Sequence, residues 1–199
     1  MRYLADLHVH SRFSRAVSKS LDLPSLHASA QRKGLTVLGT GDFTHPAWRA
    51  ELVDQLLPAG DGLYRLRDDL AAVAEAEVPR SCSGPVRFVP QAEISTIYKA
   101  GERVRKVHHV ILAPSLEGAE AMSAALERIG NVASDGRPIL GLDSRDLLEI
   151  MLETCEGGCL IPAHLWTPWF SVLGSKSGFD SVEDCFRDLS EHIFAVETG

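Results

Sequence analysis

Near its start the chain runs Asp6-Leu7-His8-Val9-His10, directly on the segment Tyr3 to Leu7 that reads as a short buried strand. Residues two apart in a strand point to one face, so Asp6, His8 and His10 converge at its end. Two neutral imidazoles at that spacing suit zinc, manganese or iron. Taken alone, the pair could equally be two unrelated surface histidines.

Working outward, strand and helix signals alternate, and the strands share a feature. Thr36 to Gly39 reads as a strand that runs into Gly39-Thr40-Gly41-Asp42, with His45 three residues on. Val86 to Ala92 runs into Glu93. Arg103 to Leu112, set off by a turn at Tyr98 to Glu102, carries His108 and His109. Leu160 to Ala163 leads to His164, and Ile193 to Val196 leads to Glu197. Helices are predicted over Pro24 to Lys33, Ala47 to Leu57, Arg67 to Glu77, Leu116 to Ile129, Arg145 to Cys155 and Val182 to Leu189. This alternation implies a mostly parallel sheet with helices outside it. Sites of α/β folds collect at the carboxyl ends of strands. A ligand type at each of those ends predicts a site for more than one metal ion.

The ordered set DLHVHSRFS, GTGDFTHP, AEIS, KVHHVIL and PAHLWTPWF resembles the PHP (polymerase and histidinol phosphatase) domain over essentially the whole chain. Within that superfamily it is most similar to the N-terminal part of endonuclease Q-like proteins. The resemblance implies an α/β fold: a distorted (β/α) barrel, incomplete at its C-terminus, formed by residues 1–199 as one metal-dependent phosphoesterase domain. It implies a cluster of two or three divalent ions (Zn2+, Mn2+ or Mg2+) held by His8, His10, Asp42, Glu93 and His164. His108 is favoured for the remaining position, with His109 as the alternative. Ala16 stands where many such domains have a further histidine.

In that scheme Glu93, Asp42 and Arg15 carry the chemistry. Glu93 would bridge metals, Arg15 would meet phosphate, and carboxylates such as Asp6 would orient the imidazoles. The implied reaction is hydrolysis of DNA on the 5′ side of deaminated bases, in DNA repair. The alternatives are a small-molecule phosphoesterase of the histidinol-phosphatase kind and an inactive metal-binding fragment. The family closes its site with a late Asp-x-His motif and continues into a cysteine-rich segment. The sequence stops at Glu197-Thr198-Gly199, so the expectation is an N-terminal piece of a longer enzyme, weakly active or inactive by itself.

Composition sets limits on this reading. The chain has 199 residues, 45% hydrophobic and 24% charged, enough for a core. Its net charge of −7 argues against gripping nucleic acid by bulk charge. No run nears the ~18–20 apolar residues of a membrane span, and the start lacks a signal pattern, so the cytoplasm is the expected compartment. Four cysteines are too few and too irregular for a disulfide framework; Cys155 and Cys159 read as ordinary thiols. Gly174-Ser175-Lys176-Ser177-Gly178 lacks the phosphate-loop frame, so no nucleotide triphosphate is expected. His27 and His192 read as structural.

Two features stay open at this level. Arg12, Arg15 and Lys19 follow the paired histidines and either meet phosphates or form a solvated loop. Trp166, Trp169 and Phe170 follow His164 and either stack on an unpaired base or pack a long loop.

Overall fold

The computed structural model describes residues 3–15 and 17–198, so Ala16 lies outside the described residues. Strand β1 (Ala5–Asp6) is followed by helix α1 (Leu23–Lys33) and strand β2 (Val37–Gly39). The Asp22 carboxylate caps α1 by accepting from Ser25 N at 2.9 Å, Pro24 fits its first turn, and Gly34 ends it in a left-handed conformation. Leu23, Leu26 and Ala30 of α1 enter the core. Helix α2 (Pro46–Gln55) buries Trp48 and Leu52. It is followed by a hairpin, β3 (Leu56–Gly60) and β4 (Leu63–Leu66), by helix α3 (Asp68–Glu75) and by strand β5 (Arg87–Val89). β1, β2 and β5 are parallel, β4 and β3 continue antiparallel, and the first sheet has the order β1-β2-β5-β4-β3.

The second sheet is built on a long hairpin, β6 (Gln91–Ala100) and β7 (Arg103–Leu112), paired residue for residue. Pro90 separates β5 from β6, and its carbonyl accepts from Ala113 N. Helix α4 (Leu116–Glu127) leads to strand β8 (Ile139–Leu140), parallel to β6. Helix α5 (Ser144–Thr154) leads to strand β9 (Cys159–Pro162), antiparallel to β7. The order is β8-β6-β7-β9, and a short helix α6 (Val182–Phe186) follows. One apolar cluster joins the two sheets through Leu38, Phe88, Ile94 and Ile111 to Leu147 and Met151 of α5.

Two expectations change, and a third, barrel closure, is not shown. The architecture is two mixed sheets rather than a mostly parallel one, because hairpins turning at Gly60-Asp61-Gly62 and Gly101-Glu102 need no crossover helix. Among the described residues no ladder links the two sheets, so the closed part of the expected barrel is not seen. Residues 193–196 form no strand. The segment is held by single bonds, Leu165 N to the Glu197 carbonyl and Glu197 N to the Pro162 carbonyl.

Candidate metal centre

Strand alternation on β6 places Gln91, Glu93 and Ser95 on one face, and Ala92, Ile94 and Thr96 on the other. The β6–β7 register pairs Glu93 with Val110 and Ser95 with His108, so His108 shares the Glu93 face. His109 pairs with Ile94 and points the opposite way, where its Nε2 lies 3.1 Å from Ser144 Oγ and 3.2 Å from Thr96 Oγ1. Burial drives the His109 pKa down to about 3, so this imidazole is neutral. Of the two histidines, His108 is the one that stands near Glu93.

Glu93 is 1% exposed and is the hub of the site. Its Oε2 lies 3.5 Å from His8 Nε2 and 3.2 Å from His10 Nε2. Its Oε1 lies 2.8 Å from His108 Nδ1 and 3.5 Å from His164 Nε2, and those two ring nitrogens are 3.2 Å apart. Two groups with metal-ligand chemistry result: His8, His10 and Glu93, and Glu93, His108 and His164. Two ligand atoms ~2.1 Å from a shared ion stand roughly 3.0–3.5 Å apart, so these spacings fit a divalent cation. Glu93 Oε1 is buried and receives no well-aligned hydrogen bond, as an oxygen reserved for a cation would be. Burial opposes ionisation of Glu93, but the surrounding imidazoles hold its carboxyl far below the usual carboxylate range.

A second set of carboxylates stands behind the imidazoles. Asp42 Oδ1 accepts from His10 Nδ1 at 3.0 Å, while Oδ2 accepts from Ser11 N, Ser11 Oγ and Ser14 Oγ at 2.7, 2.6 and 3.0 Å. Asp42 is fully buried, belongs to neither group and stands behind His10. Glu197 accepts from His8 Nδ1 at 2.9 Å and from His164 N at 2.7 Å. Asp6, expected to orient an imidazole, instead accepts from the backbone N–H of His8. Burial lowers the His10 pKa, but Asp42 and Glu93 outweigh it and raise it to about 9; Glu93 and Glu197 likewise raise His8 against its burial. His108 is lowered, chiefly by burial.

The backbone under the site is specialised. Asp42 and His164 both have positive φ, an uncommon state for side-chain-bearing residues that is associated with functional positions. Gly41 lies so close to the His10 backbone that a Cβ would come within 2.9 Å of its carbonyl carbon. Gln91 Oε1 accepts from Gly41 N and Val9 N, tying the two ligand loops to β6.

Of the other expected residues, Arg15 is 79% exposed and pairs with Asp135 at 3.1 Å, at the rim rather than beside Glu93. His45 stacks on Phe13 and joins neither group. Trp166 and Trp169 are 62% and 51% exposed, so core packing does not account for them; Phe170 packs on His108. Sequence reading missed Gln91, Ser11, Ser14 and Arg137, whose Nη1 lies 3.1 Å from Glu93 Oε2. Only the position of Ser11 and Ser14 beside His10 offered a signal.

Among the described residues, no helix is long and apolar enough to cross a membrane. No family model matches the chain. It is 29% identical over 180 residues to an uncharacterized protein of Methanocaldococcus jannaschii, covering 90% of this chain and 18% of that protein. Two solved structures are similar over 98% of this chain, each with a TM-score of 0.75 and 31% identity. One is the lesion-specific endonuclease PfuEndoQ from Pyrococcus furiosus; the other is Endonuclease Q in complex with a 27-mer duplex substrate bearing an abasic lesion at the active site. The chain spans 41% and 42% of those two, under half the length of either, and its structural neighbours are thus forms of endonuclease Q.

Proposed function

We propose that residues 1–199 form a metal-dependent phosphodiesterase domain of the endonuclease Q type, acting in DNA repair on the backbone 5′ to deaminated bases. The observation that carries this is the buried Glu93 carboxylate with an imidazole pair on each oxygen. The likeness to a lesion-specific endonuclease supports DNA as the substrate class. His8, His10, Glu93, His108 and His164 would hold two or three divalent ions. Such ions supply Lewis acidity, acidifying a water toward a pKa near ~7 and neutralising charge on a phosphodiester.

The chain's own residues do the rest. Asp42 accepts the Nδ1 proton of His10, and Glu197 accepts that of His8. With Nδ1 held as the donor, each imidazole would present its Nε2 on the Glu93 side as the ligand nitrogen once the proton there gives way to an ion. Glu93 spans both groups with separate oxygens and fixes their spacing. Arg15 at the rim is placed to meet a phosphate next to the one being cut. Trp166 and Trp169 offer exposed rings beside His164, where a base that has left the stack could rest.

The test is nicking of a duplex with one deoxyuridine or abasic site, in Mn2+ or Zn2+, against an undamaged duplex and p-nitrophenyl phosphate. Lesion-dependent nicking, abolished by chelator and by Glu93→Gln, is expected. Hydrolysis of p-nitrophenyl phosphate with no nicking of either duplex would overturn the reading in favour of a small-molecule phosphoesterase.

A further inference from the structure

Arg137 lies outside every pattern the sequence offers, yet its guanidinium reaches the centre of the site. Its Nη1 donates to Glu93 Oε2 at 3.1 Å, the same oxygen that His8 and His10 approach. The side chain is 41% exposed, and among the described residues Glu93 is the one side chain its guanidinium pairs with, which leaves most of its five N–H donors without a protein partner.

The backbone beneath it is fixed. Gly136 N donates to the Phe13 carbonyl, and Ser95 N donates to the Pro138 carbonyl. Gly136 is packed so closely on Asp42 Oδ2 and Ser14 Oγ that a Cβ would collide with both. Asp135 Oδ1 accepts from the backbone N–H of both Arg15 and Arg137. His10, Ser14, Arg15, Asp135 and Arg137 line a small recess of about 50 Å3 at this point. The main chain is therefore anchored, while the guanidinium at the end of the side chain is partly exposed.

We infer that Arg137 is the oxyanion clamp of this site. It pairs with Glu93 Oε2 here, and would turn outward to grip a phosphate where a divalent ion shares that oxygen. The reason is electrostatic. A divalent cation and a guanidinium on one carboxylate oxygen repel each other, and the exposed partner is the one that moves. Turned toward the recess, its planar fork matches two oxygens of a phosphodiester, which a lysine would meet only as a point charge. The inference rests on the phosphodiesterase reading for its natural ligand, but the clamp can be probed without DNA.

The experiment compares the 199-residue chain with Arg137→Gln and Arg137→Lys in three binding measurements. Calorimetry gives Mn2+ affinity. Melting in saturating Mn2+, with millimolar sulfate against chloride at equal ionic strength, probes a phosphate-shaped anion. Retention of an abasic-site duplex across a salt series gives the number of phosphate contacts.

The clamp predicts that Arg137→Gln binds Mn2+ at least as tightly as the parent and loses the sulfate-induced rise in melting temperature. It also predicts roughly tenfold weaker duplex binding, with a salt slope lower by about one, and partial restoration in Arg137→Lys. An arginine that merely holds Glu93 in place predicts the opposite division, weaker Mn2+ binding with sulfate and salt responses unchanged, and that result overturns the clamp. So does a parent chain that shows no sulfate response. If the parent responds to sulfate through Arg137 but does not retain the duplex, the DNA reading fails while the clamp stands.

Discussion

Replacing Asp42 by Asn separates a residue that holds a metal from one that orients its ligand. The substitution is isosteric, and Asn tolerates the left-handed backbone at φ 48 as well as Asp does. Three donors converge on Oδ2, so the amide oxygen takes that place and the NH2 faces His10 Nδ1, 3.0 Å away. An NH2 donates, so Nδ1 must become an acceptor and the His10 proton moves to Nε2. That nitrogen faces Glu93 and would be blocked as a ligand. Loss of an orienting partner of this kind costs about 10- to 100-fold in metal affinity, or ~1.4–2.8 kcal/mol of metal-linked stability at fixed metal. In the metal-free chain, three hydrogen bonds lose their ionic acceptor at about 1 kcal/mol each. The melting temperature should then fall by roughly 6–12 °C at this chain length. Calorimetric Mn2+ titration with thermal melts measures both effects. An unchanged Mn2+ isotherm in Asp42→Asn would refute the tautomer argument. A loss beyond about 1000-fold would refute it differently, by making Asp42 a direct ligand, as sequence reading expects.

Other consequences are as direct. His8→Ala with His10→Ala should abolish the rise in melting temperature that Zn2+ or Mn2+ gives the parent, and an equal rise in the double variant would place the metal elsewhere. The metal-free chain should lose stability as pH rises from about 6.5 to about 9: His10 has its folded pKa raised to about 9, so its contribution is complete below its unfolded value and gone above its folded one. Over the same window Mn2+ affinity should increase as the competing proton leaves; denaturant melts and titrations at pH 6, 7.5 and 9.5 check both signs. Gly136→Ala should cost about 1–3 kcal/mol by driving a methyl into Asp42 and Ser14, and should weaken metal binding with it. Trp166→Ala and Trp169→Ala should each weaken retention of a lesion duplex by about five- to hundredfold, with Mn2+ binding unaltered; equal binding would return these rings to the solvated surface.

Much of the element order was legible because it rests on local signals. Asp22, Pro24 and Gly34 bracket α1 as caps, and Ser115 marks the start of α4 by accepting from Gly118 N. The hairpin over residues 56–66 was missed although Gly60-Asp61-Gly62 is turn chemistry. All three residues have positive φ, but the flanking strands are short and the preceding helix has an apolar face that runs into them. The mixed pairing was not legible, because strand direction depends on connections rather than on the composition of each strand. The segment 193–196 reads as a strand by its β-branched and aromatic residues, yet it forms no ladder among the described residues.

The centre itself shows which part of a site a sequence can disclose. Ligand-type residues at strand ends are visible in the sequence, and the resemblance to the PHP domain picks His8, His10, Glu93, His108 and His164 from among them; the β6–β7 register then separates His108 from His109. Residues that act through a ligand obey no such period. Asp42 looks like one more strand-end ligand, and only its positive φ and the loop of Ser11 and Ser14 turn it toward His10 Nδ1. Glu197 reaches His8 from 189 positions away, and Arg137 reaches Glu93 from 44. In both cases a loop, not a strand, sets the approach. Loop conformation follows from close packing such as that of Gly136 on Asp42, a constraint that exists only once both segments are folded. The candidate ligands are thus encoded locally, while the groups that set their tautomers and charge are encoded by the fold.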